Sequence, residues 1–485
     1  DEREELVRRT KALEEYQEAP EAEGAKKCIP MLKRGDIRKK AGKFYNQPLD
    51  VDGSLFLYHQ VPTNGIGYLD LMFDLNGLAP EMVPYLGLLK SVLGYVDTAG
   101  YTYGELSNEI NAETGGIQCG VEVFEKADSI EDYRAFFSLR GKVMYPKIDV
   151  LFKMAREILN TSKLDDTKRL YEIIAEVKSR AQANLVSAGH STAVLRASSY
   201  TLPMAAFQDA MAGIAYYQFI EKAEQEFEQR KNEIVEKLKA LTVQILRPEN
   251  LSVSYTGEEE SLEQVQKQVK ALKLTLHTEP AEFSSEAMPL EKKNEGFMTS
   301  GQVQFVAQAG NFRRKGLVYH GALNILKVAL SYDYLWNNLR VKGGAYGCMC
   351  GFRRSGESYF VSYRDPHLKR TLDVYRGIPE YVRNFRADER EMTKYIIGTI
   401  SGKDVPRTPQ MQGSLSRTAW FCGVTEEMVQ KERDEILKAT VEDIHNLAPL
   451  IEAVLEEESV CVVGSETAVQ KEKELFGEIR SLITC

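Results

Sequence analysis

Apolar positions along the chain fall into two sets of similar elements. Gly67 to Asp74 reads as a strand, and Val83 to Val92 as an apolar helix behind it. Later, Gln302 to Gln308 reads as a strand, and Leu323, Leu326, Leu330 and Tyr334 recur at spacings of three and four, one face of a helix. Each helix leads toward a glycine pair, Gly115-Gly116 and Gly343-Gly344, offset by 228 residues. Two strands in hairpin order follow each pair, the second hairpin turning at Arg354-Ser355-Gly356-Glu357. A proline then opens a helix in each set: Pro146 in one, Pro366 in the other with Asp365 as its N-cap. Each set closes alike. Leu251 to Gly257 precedes an amphipathic helix through Leu272, and Val460 to Gly464 precedes a similar helix through Leu482.

Five matched elements in the same order indicate an internal duplication. It predicts an α+β fold of two homologous domains, each an antiparallel sheet with helices packed on one face. The first covers residues 44–277 and the second 295–485, with a polar, proline-containing linker at 278–294. Residues 1–43 read as the end of a helical linker. Asp1 to Gln17 is charged and helix-compatible, and Ala19-Pro20 breaks it. The start at Asp1, without an initiator Met, suggests a chain that begins inside a longer polypeptide.

Composition narrows the partners. A net charge of −9 without a long basic run argues against nucleic acid and anionic membranes. No apolar stretch approaches the ~20 residues a spanning helix needs. Seven cysteines, odd in number and without framework spacing, fit a reducing compartment such as cytoplasm or an organelle matrix. Cys348 and Cys350 would share one face of a strand, where burial is the simpler reading than metal binding. The six histidines are so scattered that no two lie within four residues. His190, behind a glycine and without acidic neighbours, reads as a structural hydrogen-bonder. Arg353-Arg354 reads as a solvated turn, and the acidic helices over 221–239 and 258–274 as solvent faces with i,i+4 pairs.

The junction Leu339-Arg340-Val341-Lys342-Gly343-Gly344-Ala345-Tyr346-Gly347 carries the candidate chemistry. A helix runs into the glycine pair and emerges as a strand, with Arg340 and Tyr346 flanking the turn. A fixed cation and a phenolic hydroxyl at one junction could both reach a peptide carbonyl. Taken singly, an Arg near a helix C-terminus favours the helix dipole, and a Tyr on a strand usually packs.

In context this junction resembles the pitrilysin or insulinase family of zinc metallopeptidases, within it the presequence-protease subfamily. Ser187-Ala188-Gly189-His190 with Arg196-Ala197-Ser198, and Tyr216-Tyr217-Gln218-Phe219, fit the same subfamily. So do Asp365-Pro366, Gly377-Ile378-Pro379-Glu380-Tyr381, Asp404-Val405-Pro406 with Pro409, and Ile29-Pro30 with Asp36-Ile37 as a hairpin exit. The match runs onto the C-terminal half of such proteins. The resemblance implies the LuxS-like metallohydrolase repeat, four such domains in two halves joined by a helical hairpin. It also implies an N-terminal half that holds zinc through an H-x-x-E-H motif and a later Glu.

Neither repeat here carries that motif, and Leu86 to Leu93 contains no histidine. No metal ligand is therefore carried over; zinc would be held by the N-terminal half, and this chain alone would be inactive. Its implied partners are that half and unstructured peptides in a closed chamber. Tyr346 is the expected donor to the developing oxyanion, since a phenolic hydroxyl stays protonated near neutral pH. Arg340 is the expected grip on a neighbouring substrate carbonyl. Gly343 and Gly344 would allow the tight turn and leave room for substrate, and the adjoining strand would take peptide by edge addition. Gln118 stands where Tyr346 does in the first repeat (Ile117 if one gap is allowed). The alternative is a non-catalytic scaffold or peptide-binding subunit, which would have no need of the Arg340/Tyr346 pair.

Overall fold

A computed structural model describes residues 2–19, 24, 30 and 32–483. Pro20 and Ile29, assigned above to a helix break and a hairpin exit, lie outside them. Residues 1–39 and 40–485 form two units. In the first, Glu2–Glu18 is a helix with Leu6, Leu13 and Tyr16 exposed and Glu5 paired to Arg8 and Arg9. No helix among the described residues is long and apolar enough to cross a membrane.

The second unit contains two six-stranded sheets. The first holds β1 (Gln47–Val51), β2 (Ser54–Gln60), β3 (Ile66–Asp74), β4 (Ile117–Glu125), β5 (Tyr133–Met144) and β6 (Leu251–Gly257), in the order β1-β2-β6-β3-β5-β4. The second holds β7 (Glu295–Thr299), β8 (Phe305–Asn311), β9 (Gly347–Phe352), β10 (Glu357–Tyr363), β11 (Ser459–Ser465) and β12 (Glu478–Ser481), in the order β12-β7-β11-β8-β10-β9. Five strands of one sheet correspond to five of the other, place for place. The sixth differs in origin: β1 precedes its repeat and β12 follows its own. The helix expected through Leu482 is thus replaced by a short helix, Glu466–Lys471, and a strand parallel to β7.

The sheets are mixed rather than purely antiparallel. The closing strand of each repeat inserts between its first two, so β6 runs parallel to β2 and β11 parallel to β7. Helices also cover both faces, not one. In β3 the pattern shows this directly. Leu69, Leu71 and Phe73 enter a core built with the helices Val83–Val92, Ile148–Thr161 and Phe227–Ile245. Met72 enters a second cluster on the opposite side, with Leu57, Phe124, Phe136 and Phe421.

Phe421 belongs to the other repeat. It lies on the helix Pro409–Cys422, which packs across β6, β4 and β2. The exchange is reciprocal: the helix Gly189–Ser199 of the first repeat packs across β8, β11 and β10. Ala193, Ala197 and Tyr200 there meet Phe297, Phe305, Ala307 and Val463. Both helices approach the foreign sheet so closely that a Cβ on Gly189 would sit 2.4 Å from Phe305, and one on Gly413 1.8 Å from Thr256. Each also delivers a buried arginine. Arg196 pairs with Asp209 at 2.6 Å and with Glu295 at 2.5 Å. Arg417 pairs with Asp70 and with Glu122, the latter at 2.8 Å.

Three local expectations change. Pro366 does not open its helix, which begins at Lys369; Asp365 is buried and accepts from the His367 amide and the Thr371 hydroxyl. Arg353 and Arg354 do flank the hairpin turn, yet they are not simply solvated. Arg353 pairs with Glu125 of β4, and Arg354 pairs with Glu432 and lies 5.1 Å over Tyr319. The helix over 227–245 is not a solvent face throughout, because Ile234, Leu238 and Leu241 are core.

Candidate functional site

The long helix of the second repeat starts as α-helix, Ala322–Ala329, and continues as π-helix over Leu330–Tyr334 and Trp336–Val341. The Lys342 amide donates to the Asn337 carbonyl at 3.0 Å, five residues back. Such wide turns are rare and frequent at functional sites. This one carries Trp336 and Arg340. Its end is tied off by Gly344 N–H to the Arg340 carbonyl and Ala345 N–H to the Leu339 carbonyl, both 2.9 Å. Gly344 has φ +79°, where a Cβ is strained, and a Cβ on Gly343 would sit 2.3 Å from the Leu339 carbonyl oxygen. Both glycines are thus required by the chain reversal itself.

The reversal brings Arg340 and Tyr346 together. The Arg340 guanidinium donates to the Tyr346 carbonyl. It lies 4.3 Å from the Trp336 ring and 5.3 Å from the Tyr346 ring, a cation between two aromatic faces. The Tyr346 amide donates to the carbonyls of Tyr363 and Arg364 at 3.1 and 3.3 Å, which pins the junction to the end of β10. The Tyr346 residue is 64% exposed. Beside it runs β9, the last strand of its sheet, with an open edge.

Three residues not foreseen in the sequence complete the setting. Trp336 was hidden because its contact with Arg340 depends on the helix end. Tyr363 lies 5.9 Å from the Tyr346 ring, and only the β9–β10 pairing brings it there. Arg364, at φ +49°, sets its guanidinium 5.6 Å from Tyr363. His190 reaches this group from the other repeat, its ring 4.9 Å from Tyr363 at right angles. Its Nδ1 is buried with no hydrogen-bond partner among the described residues, unlike the structural hydrogen-bonder expected, and burial holds its pKa below the usual histidine value.

Metal chemistry finds no footing among these side chains. Among the described residues no group of three or more His, Cys, Asp or Glu is placed to hold a metal ion. Burial pushes the Cys348 and Cys350 thiols up to about 11 and about 12, away from the thiolate a metal would need. At the matching junction of the first repeat, Gly115-Gly116 leads to Ile117 and to an exposed Gln118, with no cation–phenol pair.

Two family models match the chain: a peptidase M16 subfamily-C associated domain over residues 1–223 and the "PreP C-terminal domain" over residues 294–466. Protein HypA of Clostridium perfringens is 38% identical across 99% of this chain and 49% of its own length. Presequence protease 1, chloroplastic/mitochondrial, of Arabidopsis thaliana is 30% identical across 99% of this chain and 45% of its own length. The chain thus spans about half the length of these relatives. A peptidase M16 inactive domain from Pseudomonas fluorescens shares the fold with a TM-score of 0.57 and 17% identity, over 87% of this chain and 98% of that one. The periplasmic protease PqqL of Escherichia coli does so with a TM-score of 0.57 and 10% identity, over 90% of this chain and 48% of that one. Two matched repeats, the Arg340/Tyr346 junction and these likenesses agree, and the chain belongs to the M16 peptidases as the C-terminal half of a presequence-protease-like member.

Proposed function

We propose that this chain is the carbonyl-gripping half of a zinc endopeptidase that degrades unstructured peptides between two closing halves. What supports this reading is one juxtaposition: an exposed phenol and a braced guanidinium beside an open strand edge. An extended peptide adds to the β9 edge through its backbone, which selects for unfolded substrate rather than sequence. The Tyr346 hydroxyl donates to the scissile carbonyl as negative charge develops on its oxygen. One such donor stabilises the transition state by about 3–4 kcal/mol. Arg340 spends one donor on the Tyr346 carbonyl, and its guanidinium retains others for a substrate carbonyl. Gly343 and Gly344 serve as the hinge that lets both side chains face one point. The zinc ligands belong, in this reading, to the N-terminal half, and no step is routed through the metal here.

The test is reconstitution of this chain with its N-terminal half and an unfolded reporter peptide. Tyr346→Phe is expected to lower kcat about 10²- to 10³-fold, with little change in KM or in association of the halves. Unchanged turnover removes the hydroxyl from the mechanism. Peptide binding without any cleavage by the unmutated pair favours the scaffold instead.

A further inference from the structure

The first repeat has lost or never held the cation–phenol pair, yet it keeps an open edge and a cavity beneath it. The cavity, about 860 Å³, lies between β4 and the helices Val83–Val92, Thr167–Ser187 and Gly189–Ser199. β4 ends its sheet, and among the described residues its outer backbone groups along Ile117 to Val121 have no backbone partner. The charges lining the cavity are Lys90 and Arg180, with no carboxylate among them, in a chain whose net charge is −9. Among the described residues Lys90 has no hydrogen-bond or ion-pair partner, and burial lowers its pKa. Arg180 meets Glu176 at 3.4 Å on the open surface. Tyr216, only 4% exposed, turns its hydroxyl into the same space without a well-formed hydrogen bond; Ser91 lies beside it.

A half-buried ammonium without a counter-charge costs free energy unless a ligand supplies one. An open strand edge needs backbone partners of its own. One ligand meets both needs. We infer that the β4 edge and this cavity form a non-catalytic subsite for an extended, acidic stretch of peptide. Its backbone pairs with β4, and one carboxylate side chain seats against Lys90 and the Tyr216 hydroxyl, with Arg180 at the mouth. The inference rests on the peptide reading above only for the class of ligand. It gives the first repeat a task, holding a distant part of the chain whose other part lies at β9.

Hydrogen exchange on the 485-residue chain separates the two edges. The probe is an unfolded peptide bearing one Glu, paired with its Gln version. Protection at Ile117 to Val121 is expected with the Glu peptide. Affinity is expected to fall roughly tenfold for the Gln peptide, and likewise for Lys90→Met, with no further loss when the two are combined. Arg180→Ala, at an exposed site that folding does not need, is expected to weaken binding in the same direction. Protection at β9 alone overturns the subsite and leaves the proposed function standing. No protection at either edge removes both. Protection at β4 that Lys90→Met, Arg180→Ala and the Gln peptide leave unchanged overturns the carboxylate assignment. Protection at β4 that rises with protein concentration, without peptide, makes a second copy of the chain the occupant instead.

Discussion

Arg340 is held in place before any substrate arrives. Its guanidinium is stacked on Trp336, bonded to a backbone carbonyl, and set beside Tyr346. Orientation fixed in advance lowers the entropy that binding must otherwise remove. The pair was legible in the sequence because six residues and two glycines allow only a tight reversal. Trp336, Tyr363 and the cross-repeat approach of His190 were not, since each contact depends on backbone geometry or on strands far apart in sequence. His59 was equally silent in the sequence and carries a pH prediction. It is fully buried, with Nδ1 3.2 Å from the Tyr45 carbonyl and Nε2 3.0 Å from the Ser254 hydroxyl. Burial holds its pKa down to about 4, from an ordinary 6.5. A proton that the folded ring refuses and the unfolded ring accepts favours unfolding as pH falls. The His59 contribution is therefore intact above pH 6.5 and lost between 6.5 and 4, roughly 3 kcal/mol across that window. His59→Gln is expected to show a shallower fall in unfolding free energy over this range than the parent chain, measured by urea titration at each pH. Equal slopes would remove His59 as the titrating group.

Elements were legible where periodicity was strong and misplaced where a neighbour decided. The helix and strand around each glycine pair stand near their expected places, though β8 starts three residues later than Gln302 suggested. The turn at Arg354 to Glu357 is where it was expected, because Gly356 at φ +91° fixes it. The helix after Pro366 begins late, since Asp365 is drawn into a bridge with Gln304 instead of capping. The terminal helix fails because sheet pairing with β7 outcompetes its local propensity. What periodicity could not show is where the Pro409–Cys422 helix goes: its polar and small residues face the first sheet. Arg417, with 4% of its side chain exposed, sits between Asp70 and Glu122, which Arg140 also contacts. Removing one member of a buried charge cluster leaves the others unpaired, at about 3–5 kcal/mol. Arg417→Ala is expected to cost that much in denaturant unfolding, whereas truncating the exposed Arg376 to Ala is expected to cost under about 1 kcal/mol. Similar losses at both positions would mean the Arg417 cluster adds nothing beyond a surface pair.

At the scale of the whole molecule, duplication has produced two repeats that complete each other. Each lends a helix to the other's sheet, with a glycine for close approach and an arginine for the buried carboxylates. Phe421 lies 5.0 Å from Phe124 and 4.7 Å from Phe136, so the first sheet's second face is closed by the second repeat. Arg196 and Tyr200 close the reverse contact on Glu295, which is fully buried. Burial alone would pull the Arg196 charge down, but its hydrogen bonds to Glu295 and the nearby Asp209 more than reverse this. Apart, the first repeat would bare Leu57, Met72, Phe124 and Phe136. The second would bare Phe297, Phe305 and Val463, and Glu295 would lose its counter-charge. At roughly 1.5–3 kcal/mol for each large apolar side chain returned to water, either loss matches the net stability of an ordinary domain. Residues 40–277 and 295–485 made separately are therefore expected to bind a hydrophobic dye strongly and to aggregate. Made together as two chains, they are expected to elute as one soluble 1:1 complex. Size-exclusion chromatography and near-ultraviolet circular dichroism distinguish the outcomes. Two well-folded, monomeric, dye-silent repeats would mean that the helix exchange fastens finished domains together, and that each sheet's second face tolerates water.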